Sequence, residues 1–213
     1  MNNESERPLT EAEQRRLDHF NEVREALATK GYKETFFTIG IVKANAYTML
    51  AAIPLTIGLF LLFFLCNRHR QGFGLTLGFG GMLAFLGIFL IAVVAHELIH
   101  GLTWACFAEN GWKDIEFGIM MKYLTPYCTC AAPMKKGPYI LGALMPLIVL
   151  GLIPTVISMF TGSFFLVLFG LVMILSAGGD VMIVLKLLRY KTDAADILYY
   201  DHPTEAGGVI FER

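Results

Sequence analysis

Charge is scarce in this chain. Asp, Glu, Lys and Arg make up 16% of its 213 residues and nearly cancel, leaving a net charge of −1. Without a basic excess the chain lacks the electrostatic footprint of a nucleic-acid binder, so no nucleic-acid partner is expected. Cysteine is sparse as well. Cys66, Cys106, Cys128 and Cys130 follow neither zinc-finger spacing nor the density of a secreted disulfide scaffold. Cys128 and Cys130 would share one face of a strand, and they read as reduced, packed thiols. A leading apolar core is missing too. The first 35 residues are polar and acidic, so no cleavable signal peptide is expected. No internal repeat or low-complexity tract is visible.

What the chain does have is apolar length. Hydrophobic residues reach 55%, well above the soluble average. They gather in four runs, about 44–66, 73–107, 139–160 and 163–188, each long enough to cross a bilayer as a helix. Pro54, Pro146 and Pro154 fall inside these runs, where helices in lipid tolerate them. Between the second and third runs, residues 109–137 break the helical pattern. Ile115–Met134 is rich in β-formers and reads as a hairpin or two extended segments.

The two ends are polar. Thr10 and Glu13 form a capping box for a surface helix over residues 10–30. Leu17, Phe20, Val23 and Leu27 give it an apolar stripe, and Gly31 can end it. Residues 35–42 suit a short strand. The tail, 189–213, holds an Asp201-His202-Pro203 turn. The expected fold is an all-α membrane protein of four transmembrane helices, with a small β-hairpin element and an N-terminal surface helix. Its organisation would be a helical segment 1–34, a membrane-embedded domain 35–188 and the tail.

Basic residues orient this arrangement. Four spans place both termini and region 109–137 on one side. That side carries Lys33, Lys43, Lys113, Lys122, Lys135, Lys136, Lys186, Arg189 and Lys191 near the spans; the other carries only Arg68 and Arg70. The positive-inside rule then predicts a multi-pass cell-membrane protein with both termini cytoplasmic.

The most informative stretch is AVVAHELIHGLTW, residues 92–104. Ionisable residues at lipid depth are expensive and mark functional sites by default. On a helix, His96 and His100 stack on one face, with Glu97 beside them. Two imidazoles at this spacing can hold one zinc ion while the glutamate serves as general base toward a water. Zinc needs a third protein ligand and an open position. Thr103 and Cys106 stand where a metzincin requires Gly and His, which excludes that subclass. The candidates for the third ligand are Asp180, Glu109, Glu116, Asp201 and His202. Depth favours Asp180. His96 lies ~35 Å along the second run and Asp180 ~26 Å along the fourth, so both reach the inner half of the bilayer. Gly178 and Gly179 would let two helices approach there. The alternative is that Asp180 is a plain interhelical hydrogen-bonding group.

HELIHG (96–101), Phe117-Gly118, SAGGD (176–180) and Asp201-His202-Pro203 together resemble the bacterial "Putative zincin peptidase" domain family. The resemblance covers nearly everything after residue 35. That family in turn is similar to the site-2-protease-like intramembrane metallopeptidases, where an HExxH helix is completed by an aspartate on a later helix. The resemblance implies His96, His100 and Asp180 as zinc ligands and Glu97 as the catalytic acid/base. It also implies a membrane protein or peptide as substrate. The Gly-Gly-Asp sequence departs from the LDG pattern of site-2 proteases, and no PDZ module is expected. The expected function is a zinc metallopeptidase in the bilayer. A metal transporter and a non-catalytic zinc-binding scaffold are the alternatives. Region 109–137 would either take an unwound substrate by strand addition or serve as a connector. Nothing in the sequence indicates an oligomeric state.

Overall fold

The computed structural model describes residues 9–38, 40–70, 78–120 and 125–213, with only the backbone given for 41–45 and 49. The chain runs through α1 (Glu11–Thr29), β1 (Lys33–Thr38), α2 (Ile41–Asn67), α3 (Phe79–Ala105), β2 (Ile115–Met120) and β3 (Thr125–Cys130). It continues through β4 (Met134–Lys135), α4 (Lys136–Pro146), α5 (Ile153–Thr161), α6 (Phe164–Ser176), α7 (Gly178–Arg189), β5 (Ile197–Asp201) and β6 (Gly207–Glu212). Among the described residues, three helical stretches are long and apolar enough to cross a membrane: Ala46–Asn67, Phe79–Ala105 and Lys136–Thr161. The expected start of the second run at Phe73, and Lys122 in the basic count, lie outside the described residues.

The third stretch is continuous only because its middle is wound as a π-helix, Leu147–Leu152. Pro154 has no N–H to donate, so a regular α-turn ahead of it would leave a carbonyl without its partner. A wider turn absorbs the mismatch. The Thr155 hydroxyl also donates to the Gly151 carbonyl at 2.8 Å. The fourth run is not one straight helix. It breaks at Ala177, and α6 and α7 meet at a bend of 48°. Gly178 is buried at the break, where an added Cβ would lie 3.0 Å from Thr48 of α2; Gly179 meets nothing within 4 Å. Of the two expected close approaches, the structure shows the one at Gly178.

The β content exceeds the single expected hairpin. Strands β2 and β3 pair antiparallel from Ile115↔Cys130 to Met120↔Thr125, as the sequence suggested. A second sheet has the order β1-β6-β5-β4, and all its pairings are antiparallel. In the tail, ILYY (197–200) and VIF (209–211) are short unbroken apolar runs without the alternation that marks a strand. Such runs belong to sheets covered on both faces. Tyr199 and Ile210, paired across the strands, face Met134 and Tyr139. Tyr200 and Val209, the next pair along, face Phe20 and Leu27 of α1 together with Phe211. The sheet is therefore sandwiched between α1 and the helical body.

The capping box forms as expected. The Glu13 backbone N–H donates to Oγ1 of Thr10, and the Thr10 N–H donates to the Glu13 carboxylate. Phe20, only 2% exposed, is the apolar anchor of α1. At the opposite end of the body, the Arg70 guanidinium donates to the carbonyls of Thr161 and Phe160. Asn67 Nδ2 donates to the Met159 carbonyl. These bonds pin the end of α2 to the end of α5. Truncating a buried phenylalanine costs about 3–5 kcal/mol. Phe20→Ala should therefore detach α1 from the sheet, read as new protease cleavage within residues 11–29 while the helical body stays resistant.

Candidate metal centre

The three side chains favoured from sequence meet in space. His96 and His100 project from the last third of α3, and Asp180 sits in the first turn of α7. Nε2 of His96 donates to Oδ2 of Asp180 at 3.1 Å, and Nε2 of His100 lies 3.5 Å from Oδ1. The break at Ala177 makes this possible. It starts a new helix just ahead of Asp180, and a helix N-terminus favours a carboxylate.

The imidazole of His100 is fixed on every side. Its Nδ1–H donates to the carbonyl of Gly142 at 2.8 Å. This choice of tautomer leaves Nε2 free to act as a ligand. The ring stacks on Trp104, one turn along α3, with centroids 5.1 Å apart and planes at 15°. Trp104 Nε1–H donates in turn to the Tyr139 carbonyl at 3.1 Å. Glycine is required at position 142, because an added Cβ would lie 2.0 Å from Trp104 Nε1. His96 is fixed differently. Its Nδ1 is one of two buried side-chain nitrogens without a partner among the described residues.

Glu97 faces the hairpin, with the backbone N–H of Cys128 directed toward its carboxylate. The hairpin reaches this point because Gly101 lets it close on α3. A Cβ there would lie 2.7 Å from Phe117 and 2.9 Å from Ile115. His96, Glu97, His100 and Asp180 line one cavity of about 430 Å3, shared with the hairpin, the first turns of α1 and the β5–β6 turn. That size is typical of ligand pockets.

The other candidate ligands stand apart from the cluster, although Asp201 and His202 line the same cavity. Glu109 and Glu116 are exposed. His202 Nδ1 accepts the backbone N–H groups of Thr204 and Glu205, and burial pulls its pKa below the usual histidine value. Asp201 accepts the Cys130 backbone N–H and the Tyr139 hydroxyl. Burial raises its pKa in spite of both donors. Cys128 and Cys130 are both free thiols, as expected. Burial pushes Cys130 up to about 12 and Cys128 further. Neither is an available thiolate ligand at neutral pH. The carbonyl of Gly142 and the N–H of Cys128 are not legible in the sequence, since backbone groups carry no residue signature. Trp104 was visible at i+4 from His100, without a role.

The ligand atoms of His96, His100 and Asp180 all lie within 4.8 Å of one another. Two imidazoles and a carboxylate, with room for a fourth partner, match the donor set of a catalytic zinc site. Ligands ~2.0–2.1 Å from a tetrahedral ion stand about 3.4 Å apart. The 3.1 and 3.5 Å separations fit that spacing. A family described as "Putative zincin peptidase" matches residues 89–195, half of the chain. The chain belongs to this family. No curated protein and no solved structure matches it. The family match includes all four residues of the cluster and ends before Asp201. Membership indicates a metallopeptidase and zinc as its metal, and the three apolar helices are consistent with a membrane protein.

Gly142→Ala would force Trp104 off its stack on His100, and overpacking of this kind costs about 1–3 kcal/mol. The variant should melt at a lower temperature and lose zinc to a chelator faster than the parent.

Proposed function

We propose that the protein is a membrane-embedded zinc metallopeptidase that hydrolyses peptide bonds of membrane or membrane-proximal proteins near the cytoplasmic face. The observation that carries this reading is the convergence of His96, His100 and Asp180 beside Glu97 within one cavity. Zinc held there would polarise a substrate carbonyl and make water more acidic. Asp180 bridges the two imidazoles from a separate helix, and Gly142 keeps His100 in the tautomer a ligand needs. Glu97 takes the proton of the attacking water and passes it to the leaving amine.

Substrate entry involves the hairpin in the same reading. Successive N–H groups of a strand point to opposite edges. Since Ala131 N–H pairs with Asp114, those of Cys128 and Cys130 point away from β2. The first faces Glu97 and the second donates to Asp201, while Pro126 has no N–H to offer. An extended peptide adding to this edge would take over the Cys128 donor and release Glu97 toward the reacting groups. A helical peptide bond is sterically shielded, so strand addition also supplies the unwinding that cleavage requires.

Four crossings with both termini cytoplasmic complete the proposal, the bent α6–α7 pair forming the fourth. The second sheet supports it. Its strands come from segments before α2, before α4 and after α7. These segments meet on one side only if an even number of crossings separates them. The same side holds most of the lysines near the spans, as the positive-inside rule asks of a cytoplasmic face.

The parent protein in detergent should carry one zinc per chain, and His96→Ala and Asp180→Ala should lose most of it. Glu97→Gln should keep the zinc and lose cleavage of a panel of single-span reporters and unfolded casein by at least 100-fold. Equal zinc in the parent, His96→Ala and Asp180→Ala would remove the site. Parent-like cleavage by Glu97→Gln would remove the mechanism. Zinc flux into proteoliposomes without cleavage would favour a transporter, and bound zinc with neither activity a scaffold.

A further inference from the structure

The Asp201-His202-Pro203 segment stands out in the sequence, yet the metal cluster does not use it. Asp201 ends β5 and lies between β3 and α4. One carboxylate oxygen, Oδ2, accepts the backbone N–H of Cys130 at 2.9 Å. The other, Oδ1, accepts the hydroxyl of Tyr139 at 2.5 Å. Each bond leads to a group of the proposed site by a short path.

The first path runs along β3. Two residues before Cys130, on the same strand edge, the Cys128 N–H faces Glu97, and Cys128 and Glu97 line one cavity. Fixing one N–H of this edge fixes the direction of the other, because the strand alternates with period two. The second path runs along α4. The carbonyl of Tyr139 holds Trp104 Nε1–H, and its ring packs beside that of Trp104, 5.7 Å between centroids. Trp104 stacks on His100. Three residues beyond Tyr139, almost one helical turn, the Gly142 carbonyl takes the Nδ1–H of His100. A shift of α4 along its axis would move both supports of that imidazole at once.

We infer that Asp201 is a positioning residue that sets Glu97 through β3 and His100 through α4. It touches neither, and it comes from the C-terminal strands outside the family match. The inference rests on the metallopeptidase reading of the site. A carboxylate that merely satisfied two donors would affect folding alone. One that positions the site also alters the metal affinity and the ligand field of the folded protein.

Asp201→Ala removes both acceptor oxygens, so both bonds are lost. Tyr139→Phe removes only the bond on the α4 side and leaves Asp201 with Cys130. Supporting partners of metal ligands typically change metal affinity by 10–100-fold. Both variants should bind zinc at least about 10-fold more weakly than the parent in chelator competition. Their cobalt-substituted forms should show a shifted visible absorption band. At saturating zinc, Tyr139→Phe should regain parental kcat, whereas loss of the Cys130 bond in Asp201→Ala should leave kcat low. Zinc affinity within twofold of the parent and an unchanged cobalt band in the folded variants would overturn the inference. Should Asp201→Ala fail to fold, Tyr139→Phe decides by the same two readouts. A parent that binds no zinc overturns both this inference and the proposed function. A parent that binds zinc without cleaving any reporter overturns the function alone, and the affinities still judge Asp201.

Discussion

Two imidazoles and two carboxylates sit near the ends of apolar helices, where a polar group without a partner is expensive. The structure meets this constraint by bringing donors and acceptors together from five separate elements. Asp180 comes from α7, the carbonyl of Gly142 from α4, the N–H of Cys128 from β3, and the two histidines with Glu97 from α3. Asp201 of β5 then joins β3 to α4. Features that look irregular in isolation serve this convergence. The break at Ala177 aims Asp180 at α3, the bare surface of Gly142 admits Trp104, and that of Gly101 admits the hairpin.

The sheet has a parallel role. Helices that cross a bilayer gain little from hydrophobic attraction to one another, because lipid is as apolar as their side chains. A sheet assembled from segments before α2, before α4 and after α7 ties their ends together with backbone hydrogen bonds and an aqueous-type core. Met134, Tyr139, Tyr199 and Ile210 carry that core up to Trp104 beneath His100. Packing in the sheet and geometry at the site are thus continuous, which is why a residue at the end of β5 can bear on an imidazole of α3.

The sequence made the site more legible than the fold around it. HELIH fixed three of the four central residues by helical spacing alone. Asp180 followed from being the lone acid in its apolar run. The structure brings these four residues together, and the hairpin over 109–137 forms where β-formers replaced helical periodicity. The tail was harder. Its strands lack alternation because α1 covers one face of the sheet and the helical body the other. The break in the fourth run was also hidden, since Gly178 acts through its contact with Thr48, more than a hundred residues away in the chain. In the sequence Asp201 stands only as one of several candidate ligands. Its partners, a backbone N–H and a tyrosine hydroxyl, depend on strand pairing that composition does not encode.

The two histidines are not equivalent, and the difference follows from their neighbours. For either ring to offer Nε2 as a ligand, the proton must reside on Nδ1. His100 has an acceptor for it in the Gly142 carbonyl, while Nδ1 of His96 is buried with no partner among the described residues. His100 is therefore organised in advance by α4 and Trp104. His96 is held chiefly through Asp180, across the boundary between α3 and α7. Binding of a cation between them would replace that single bond with a shared centre, so α7 gains more from the metal than α4 does. The half of the site built on α4 and β3 is set by protein contacts, and the half built on α7 rests on the His96–Asp180 bond that a bound ion would replace.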